Sequence, residues 1–204
     1  MGEVFSALGK SLKADKTLRT ALLAVFVLGI SEGFMNSKYW VWTIQDLGYG
    51  TPFAIALIVA LQSFSRVAGQ EFFVRVIKGE RARFLTALFG ISLITFLLAT
   101  KLPPIVLAGS WMIRIFVYSS YFPLLNKELE SIAHPSTVST VLSVAPMLNA
   151  IGAIIGGLTC AGFQMESQST FITMGALCAL SGFLWTKAFS IKVFFQNKTL
   201  ASTR

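Results

Sequence analysis

The sequence predicts an all-α integral membrane protein with six transmembrane helices. Three observations carry that expectation. First, 54% of the 204 residues are hydrophobic and 13% are charged, about half the charge that a soluble domain carries. Second, the mean hydropathy is +0.70, and the apolar residues gather into runs near the ~20 residues that a bilayer core requires. Third, the lysines and arginines, which give a formal charge of +8, fall in the gaps between those runs. Such a pattern orients helices in a membrane; it is not the basic face of a nucleic-acid binder, and no nucleic acid is expected as a partner. Membrane lipids are.

The predicted spans run from Leu18 to Ile44, Pro52 to Ile77, Phe84 to Thr100, Pro104 to Leu125, Val138 to Phe163 and Ser169 to Phe189. They make a transmembrane domain over 18–190, preceded by a lead-in over 1–17 and followed by a basic tail over 191–204. In the lead-in, Val4, Leu8 and Leu12 recur near helical spacing with Lys10, Lys13 and Lys16 between them, the pattern of a helix lying on a membrane surface. The start MGEVFSALGKSLKADKTLR carries charges throughout and no small-residue cleavage site, so no cleavable signal is expected. Gly2 and Ser6 have the form of a myristoylation site, an anchor that a multi-spanning chain does not need.

The connections assign sides. Lys10, Lys13, Lys16 and Arg19 precede the first span; Arg75, Lys78, Arg81 and Arg83 lie between the second and third. Lys127 follows the fourth, and Lys187, Lys192, Lys198 and Arg204 follow or close the sixth. With alternating spans these fall on one side. The opposite connections, QDLGYGT, KLPP and QMESQS, hold Lys101 alone. Both termini are therefore expected in the cytoplasm of a cell-membrane protein. Trp40, Trp42 and Tyr49 cluster at the outer end of the first hairpin, where amphipathic rings favour the interface.

Ionisable residues inside spans are costly, at about 2.5–3.5 kcal/mol each on insertion scales. Glu32 and Arg114 fall near the midplane of the first and fourth spans, and Arg66 somewhat inward of it in the second. Lys38 is close enough to an end to snorkel. Asn36 shares the face of Glu32, and Tyr118 that of Arg114, each four residues on. Two readings stay open. The group is a buried knot that fixes packing, or Glu32, Asn36, Arg114 and Tyr118 line a polar cavity that binds substrate or a proton. Glu71 and Arg75, also four apart, read as a structural pair.

The fifth span, PMLNAIGAIIGGLTCAG, places Gly152 and Gly156 at GxxxG spacing, with Gly157 beside them and Asn149 one turn before. Small residues let helices approach closely. That interface could join two copies of the chain or seat the fifth helix against its own neighbours. Pro146 and Pro123 favour kinks in the fifth and fourth spans. Cys160 and Cys178 read as small packing residues, and no CxxC or Cys/His cluster suggests a metal. His134 sits beside Pro135 in a polar loop. There is no phosphate-binding glycine loop, no Ser with a nearby His in a span and no paired acidic motif, so no enzymatic activity and no cofactor are expected.

The run YFPLLNKELESIAHPSTVSTVLSVAPMLNAIGAIIGG resembles the fourth and fifth helices of the carboxyl half of a major facilitator superfamily transporter, of the efflux type. Pro123 and Asn126 match the Pro and Asn that close the fourth helix. Ser139, Thr140, Val141, Leu142 and Ser143 match the entry to the fifth. Gly152, Gly156 and Gly157 match its glycines, and Ser169 to Gly175 the opening of the last helix. LGKSLKADKTLRTALLAVFVLG resembles the linker and first helix of that half. In two places the sequence departs from the family pattern. Val138 and Ser139 stand where the family has an arginine, and GQEFFVRVIKGERAR keeps Gly69, Arg75, Arg81 and Arg83 without the Asp–Arg signature of a conformational latch.

The resemblance implies half of a major-facilitator-type fold, built of two inverted three-helix repeats. It implies that the first and fourth helices, with Glu32, Asn36 and Arg114, face a central cavity, and that the second and fifth meet a second half. The implied function is ion-coupled efflux of a small molecule, with Glu32 as proton carrier and a second copy or another chain as the missing half. A truncated remnant without transport is one rival. Another is the membrane-embedded binding subunit of an energy-coupling-factor importer, although of its alanine-spaced docking motif the first helix holds only Ala21 and Ala24.

Overall fold

The computed structural model describes residues 9, 15–41, 51–76, 79–100, 103–119, 121–163 and 166–202. Among them are seven long or medium helices and no strand: α1 Lys16–Val41, α2 Pro52–Val76, α3 Glu80–Leu98, α4 Pro104–Ser119, α5 Tyr121–Ile132, α6 Val138–Gly162 and α7 Ser167–Ser202. The predicted surface helix of the lead-in and the first hairpin loop, with Trp42 and Tyr49, lie outside the described residues.

Local chemistry starts the helices where the sequence changes. The Asp15 carboxylate accepts from the backbone N–H groups of Thr17 and Leu18 at 2.8 and 3.0 Å, two of the donors that a helix start leaves free. Thr51 Oγ1 accepts from Ala54 N–H at 3.2 Å in the same way, and α2 opens on Pro52, as α4 opens on Pro104. Proline suits a first position, where no N–H is needed.

Among the described residues five helices are long and apolar enough to cross a membrane, α1, α2, α3, α6 and α7. The fourth predicted span is described on either side of Ser120, which lies outside the described residues, as α4 up to Ser119 and α5 from Tyr121. α5 is amphipathic. Tyr121, Leu124, Leu125 and Leu129 are buried, while Pro123, Asn126 and Lys127 are exposed. Lys127 Nζ reaches Glu80 at 2.6 Å and ties α5 to the start of α3. α6 runs unbroken through Pro146, and α7 continues beyond the predicted end at Phe189 to Ser202.

The helices pair selectively. α1 packs on α6 and on α7, α3 on α7, and α4 on α2 and on α3. Exchange α1 with α4, α2 with α6 and α3 with α7, and this set of pairings maps onto itself. The α1·α6 contact is made by backbone. A Cβ built at Gly29 would strike the Asn149 carbonyl, and one at Gly33 the Ala153 carbonyl. Reciprocally, a Cβ at Gly152 would strike the Phe26 carbonyl and one at Gly156 the Ile30 carbonyl. Two GxxxG faces are thus interlocked within one chain. The glycine face offered by the sequence to a second copy is covered by α1, and α6 turns Met147, Ile151, Ile154 and Leu158 outward instead.

Two apolar clusters fill the interior. One joins Leu18, Val25 and Leu28 of α1 to Phe84, Leu88 and Ile91 of α3 and Trp185 of α7. The other joins Phe34 of α1 to Leu98, Trp111, Ile115, Phe171 and Met174. On α1, α3 and α4 the buried Ser31, Glu32, Ser92, Thr95 and Arg114 lie at or beside the boundary between the clusters.

Candidate functional site

The polar layer is built from one or two positions per helix. Ser31 and Glu32 of α1 follow Leu28 and precede Phe34; Ser92 and Thr95 of α3 follow Ile91 and precede Leu98. Arg114 of α4 stands between Trp111 and Ile115. All five side chains are buried, with Glu32 at 4% and Arg114 at 1% exposure.

Arg114 is the centre. Its Nη2 meets Glu32 Oε1 at 3.1 Å. Its Nε donates to Thr95 Oγ1 at 3.0 Å, and Nη1 lies 2.9 Å from Met35 Sδ. The guanidinium also sits near the rings of Trp111, at 5.4 Å, and Tyr118, at 5.6 Å. Thr95 Oγ1 donates in turn to the Ile91 carbonyl at 2.6 Å, which leaves its lone pairs for Arg114. Placing a carboxylate and a guanidinium in contact removes the net charge from the low-dielectric interior, the condition on which buried ions persist.

Around this pair run hydroxyl bridges between helices. Ser31 Oγ reaches the Met174 carbonyl and Cys178 Sγ, both at 3.2 Å. Ser92 Oγ donates to the Gly175 carbonyl at 2.8 Å, and Ser181 Oγ to the Ala24 carbonyl at 2.9 Å. Each hydroxyl satisfies itself on a second carbonyl lone pair of a neighbouring helix, which fixes the register of α7 against α1 and α3.

Of the residues singled out in the sequence, Glu32, Arg114 and Tyr118 come together. Asn36 lies in α1, but its side chain is outside the described residues, as is that of Lys38. Gly152, Gly156, Gly157 and Asn149 all lie against α1 and form no part of the charged centre. Glu71 and Arg75 make an exposed pair at 3.1 Å. Arg66 is exposed on α2. Cys160 and Cys178 are buried thiols.

The sequence reading missed the partners. Thr95, Ser31, Ser92 and Ser181 are neutral and barely register against an apolar run. Gly29 and Gly33 did carry a signal, since their spacing repeats that of Gly152 and Gly156. Lying one turn apart on α1, with Ile30 between them, they could have identified α1 as the surface that α6 needs.

The layer can do two things chemically. It can lock α1, α3 and α4 together, or it can respond to a proton. Protonating Glu32 would leave the Arg114 charge uncompensated, and α1 and α4 are joined here through side chains, without the close backbone packing that joins α1 to α6. Comparison of the chain with family models, with curated proteins and with solved structures finds no match.

Proposed function

We propose that this membrane protein is one half of a major-facilitator-type transporter, completed by a second copy or by another chain, and that it moves a small molecule by ion-coupled alternating access. The observation that carries the reading is the set of helix pairings. Its invariance under exchange of α1, α2 and α3 with α4, α6 and α7 is what two inverted three-helix repeats would produce. The buried ion pair joins α1 to α4, the first and fourth helices, where such a half carries its cavity face. In this reading Glu32 is the proton carrier. Protonation releases Arg114 from its counter-ion, and the half moves against its partner half until the pair re-forms. Both termini face the cytoplasm.

The test is flux in proteoliposomes across an imposed proton gradient, with fluorescent amphiphiles of either charge as probes. Gradient-dependent flux that is lost in Glu32→Gln supports the mechanism. Flux unchanged in Glu32→Gln removes that residue from it. The near-complete burial of Glu32 and Arg114 also favours a second reading, a non-transporting remnant in which the pair only fixes packing. Absence of any gradient-dependent flux from a folded, reconstituted chain would decide for the remnant.

A further inference from the structure

Arg114 is better supplied with neighbours than with good acceptors. A guanidinium carries five N–H groups. Among the described residues one oxygen acceptor is the Glu32 carboxylate, at 3.1 Å, and another the Thr95 hydroxyl, at 3.0 Å. Beyond these the guanidinium meets sulfur, Met35 Sδ at 2.9 Å from Nη1 and the thiol of Cys178. Sulfur is a weak acceptor. Glu32 engages Nη2 and not Nη1, so the parallel N–H pair with which an arginine grips a carboxylate is half used. The donor set of this buried cation is open to one more oxygen ligand.

The weakly held side is also the accessible one. Glu32 and Arg114 are buried, but Met35 and Tyr118, which lie against the guanidinium, are partly exposed. The centre therefore lies one side chain below the surface. Methionine is unbranched and adaptable, and its withdrawal bares Nη1. The rings of Trp111 and Tyr118, 5.4 and 5.6 Å from the guanidinium carbon, offer apolar walls.

Charge sets which acid fits. A second anion beside ionised Glu32 would leave net negative charge in a low-dielectric layer, a state that buried groups avoid by taking up a proton. One proton on Glu32 restores neutrality, and the protonated carboxyl can donate its O–H to the incoming oxygen. The balance closes for a monoanion. It does not close for a phosphate monoester, which carries about −1.5 to −2.

We propose that Arg114 binds a monocarboxylate with an apolar body, whose carboxylate replaces Glu32 as counter-ion while Glu32 takes up one proton. This rests on the transport reading and names its substrate class. It also sets the sense of coupling. Proton and anion occupy the centre together and cross in the same direction, so an inward proton gradient drives uptake, opposite to the efflux that the resemblance implies.

Besides Arg114, the titratable groups that interact with Glu32 are Tyr118 of α4, Tyr121 of α5 and Cys178 of α7. α3 presents the neutral Ser92 and Thr95, and α6 meets α1 through glycines. Thiols and phenols ordinarily titrate at about 8.5 and 10, above the range used in the test. Equilibrium binding of 2-naphthoate to the full chain is measured in neutral detergent between about pH 6 and pH 7.5, where the ligand is ionised. The control is 2-naphthamide, which has the same rings and no charge. Expected is uptake of about one proton per naphthoate bound, with an affinity that falls about tenfold per pH unit. Glu32→Gln, a mimic of the protonated residue, is expected to bind without that trend. The Glu32→Leu, Arg114→Leu double variant, which leaves no buried ion unpaired, is expected to bind naphthoate no better than naphthamide. No naphthoate binding above the amide in the wild type overturns the proposal. So does binding without proton uptake, a trend kept in Glu32→Gln, or wild-type binding in the double variant. The proton count on the wild type decides even where Glu32→Gln fails to fold. Because binding is read without flux, a chain that binds naphthoate with a proton yet moves nothing loses only the transport reading. Gradient-driven flux without such binding loses only this one.

Discussion

Arg114 is held by groups from two neighbouring helices, a carboxylate and a thioether from α1 and a hydroxyl from α3, with two rings of its own helix region beside it. Removing either ion leaves the other buried without compensation. Breaking such a pair costs about 3–5 kcal/mol, whereas an apolar pair of similar volume is often neutral. Arg114→Leu is therefore expected to lose that much stability in denaturant unfolding, and adding Glu32→Leu to recover most of it. A double variant no better than the single one would show that the two do not act as partners. Thr95→Val is expected to cost about 1–3 kcal/mol, because Nε of Arg114 loses its acceptor. The charged members of this site were legible in the sequence because a charge inside an apolar run demands an explanation. Thr95 was not legible, since a threonine in a membrane helix can satisfy its hydroxyl on its own backbone, as Thr95 also does.

At the scale of elements, the contact between α1 and α6 is the most extensive among the described helices, and it is made where side chains are missing. Hydrocarbon supplies no hydrophobic force between helices inside a bilayer, so close packing must hold them. Gly156→Leu places a branched side chain against the Ile30 carbonyl and is expected to cost about 3 kcal/mol or more. Its effect should be on unfolding, with the mass of the detergent-solubilised particle unchanged. A change of mass with unchanged stability would return the glycine face to an interface between copies. Glycine spacing announced a close contact but not its partner, because GxxxG specifies a shape that any smooth helix can meet. The buried face of α5 was not legible: it comes from Tyr121, Leu124, Leu125 and Leu129 meeting α3 and α6, contacts that depend on where those helices stand.

For the whole molecule, the apolar helical character was readable because length and composition alone decide whether a helix can cross ~30 Å; of the six predicted spans, five are long and apolar enough among the described residues. Their pairing was not, because every run is apolar on most of its surface and helix propensity says nothing about neighbours. Orientation rests on the basic connections. A cysteine at Ser167 is expected to react with an impermeant reagent in intact cells, and one at Gly79 only after lysis. The native thiols, both buried, give little background. The reverse labelling pattern would invert the topology and place the basic connections outside.

The reach of α1 has a consequence for biosynthesis. Its hydroxyl bridge to the Met174 carbonyl spans 143 residues of sequence, and the Ser181 bridge back to Ala24 spans 157. At about 5–20 residues per second, α1 waits roughly 7–30 s after its own synthesis before α7 emerges. During that interval its glycine notch has no α6 to fill it, and Glu32 has no Arg114 until α4 arrives. The nascent chain therefore needs a custodian in the membrane, and a chain stopped before Val138 should never leave it. In pulse-chase labelling the stopped chain is expected to remain crosslinked to the insertion machinery and to be degraded, while the full-length chain is released and persists.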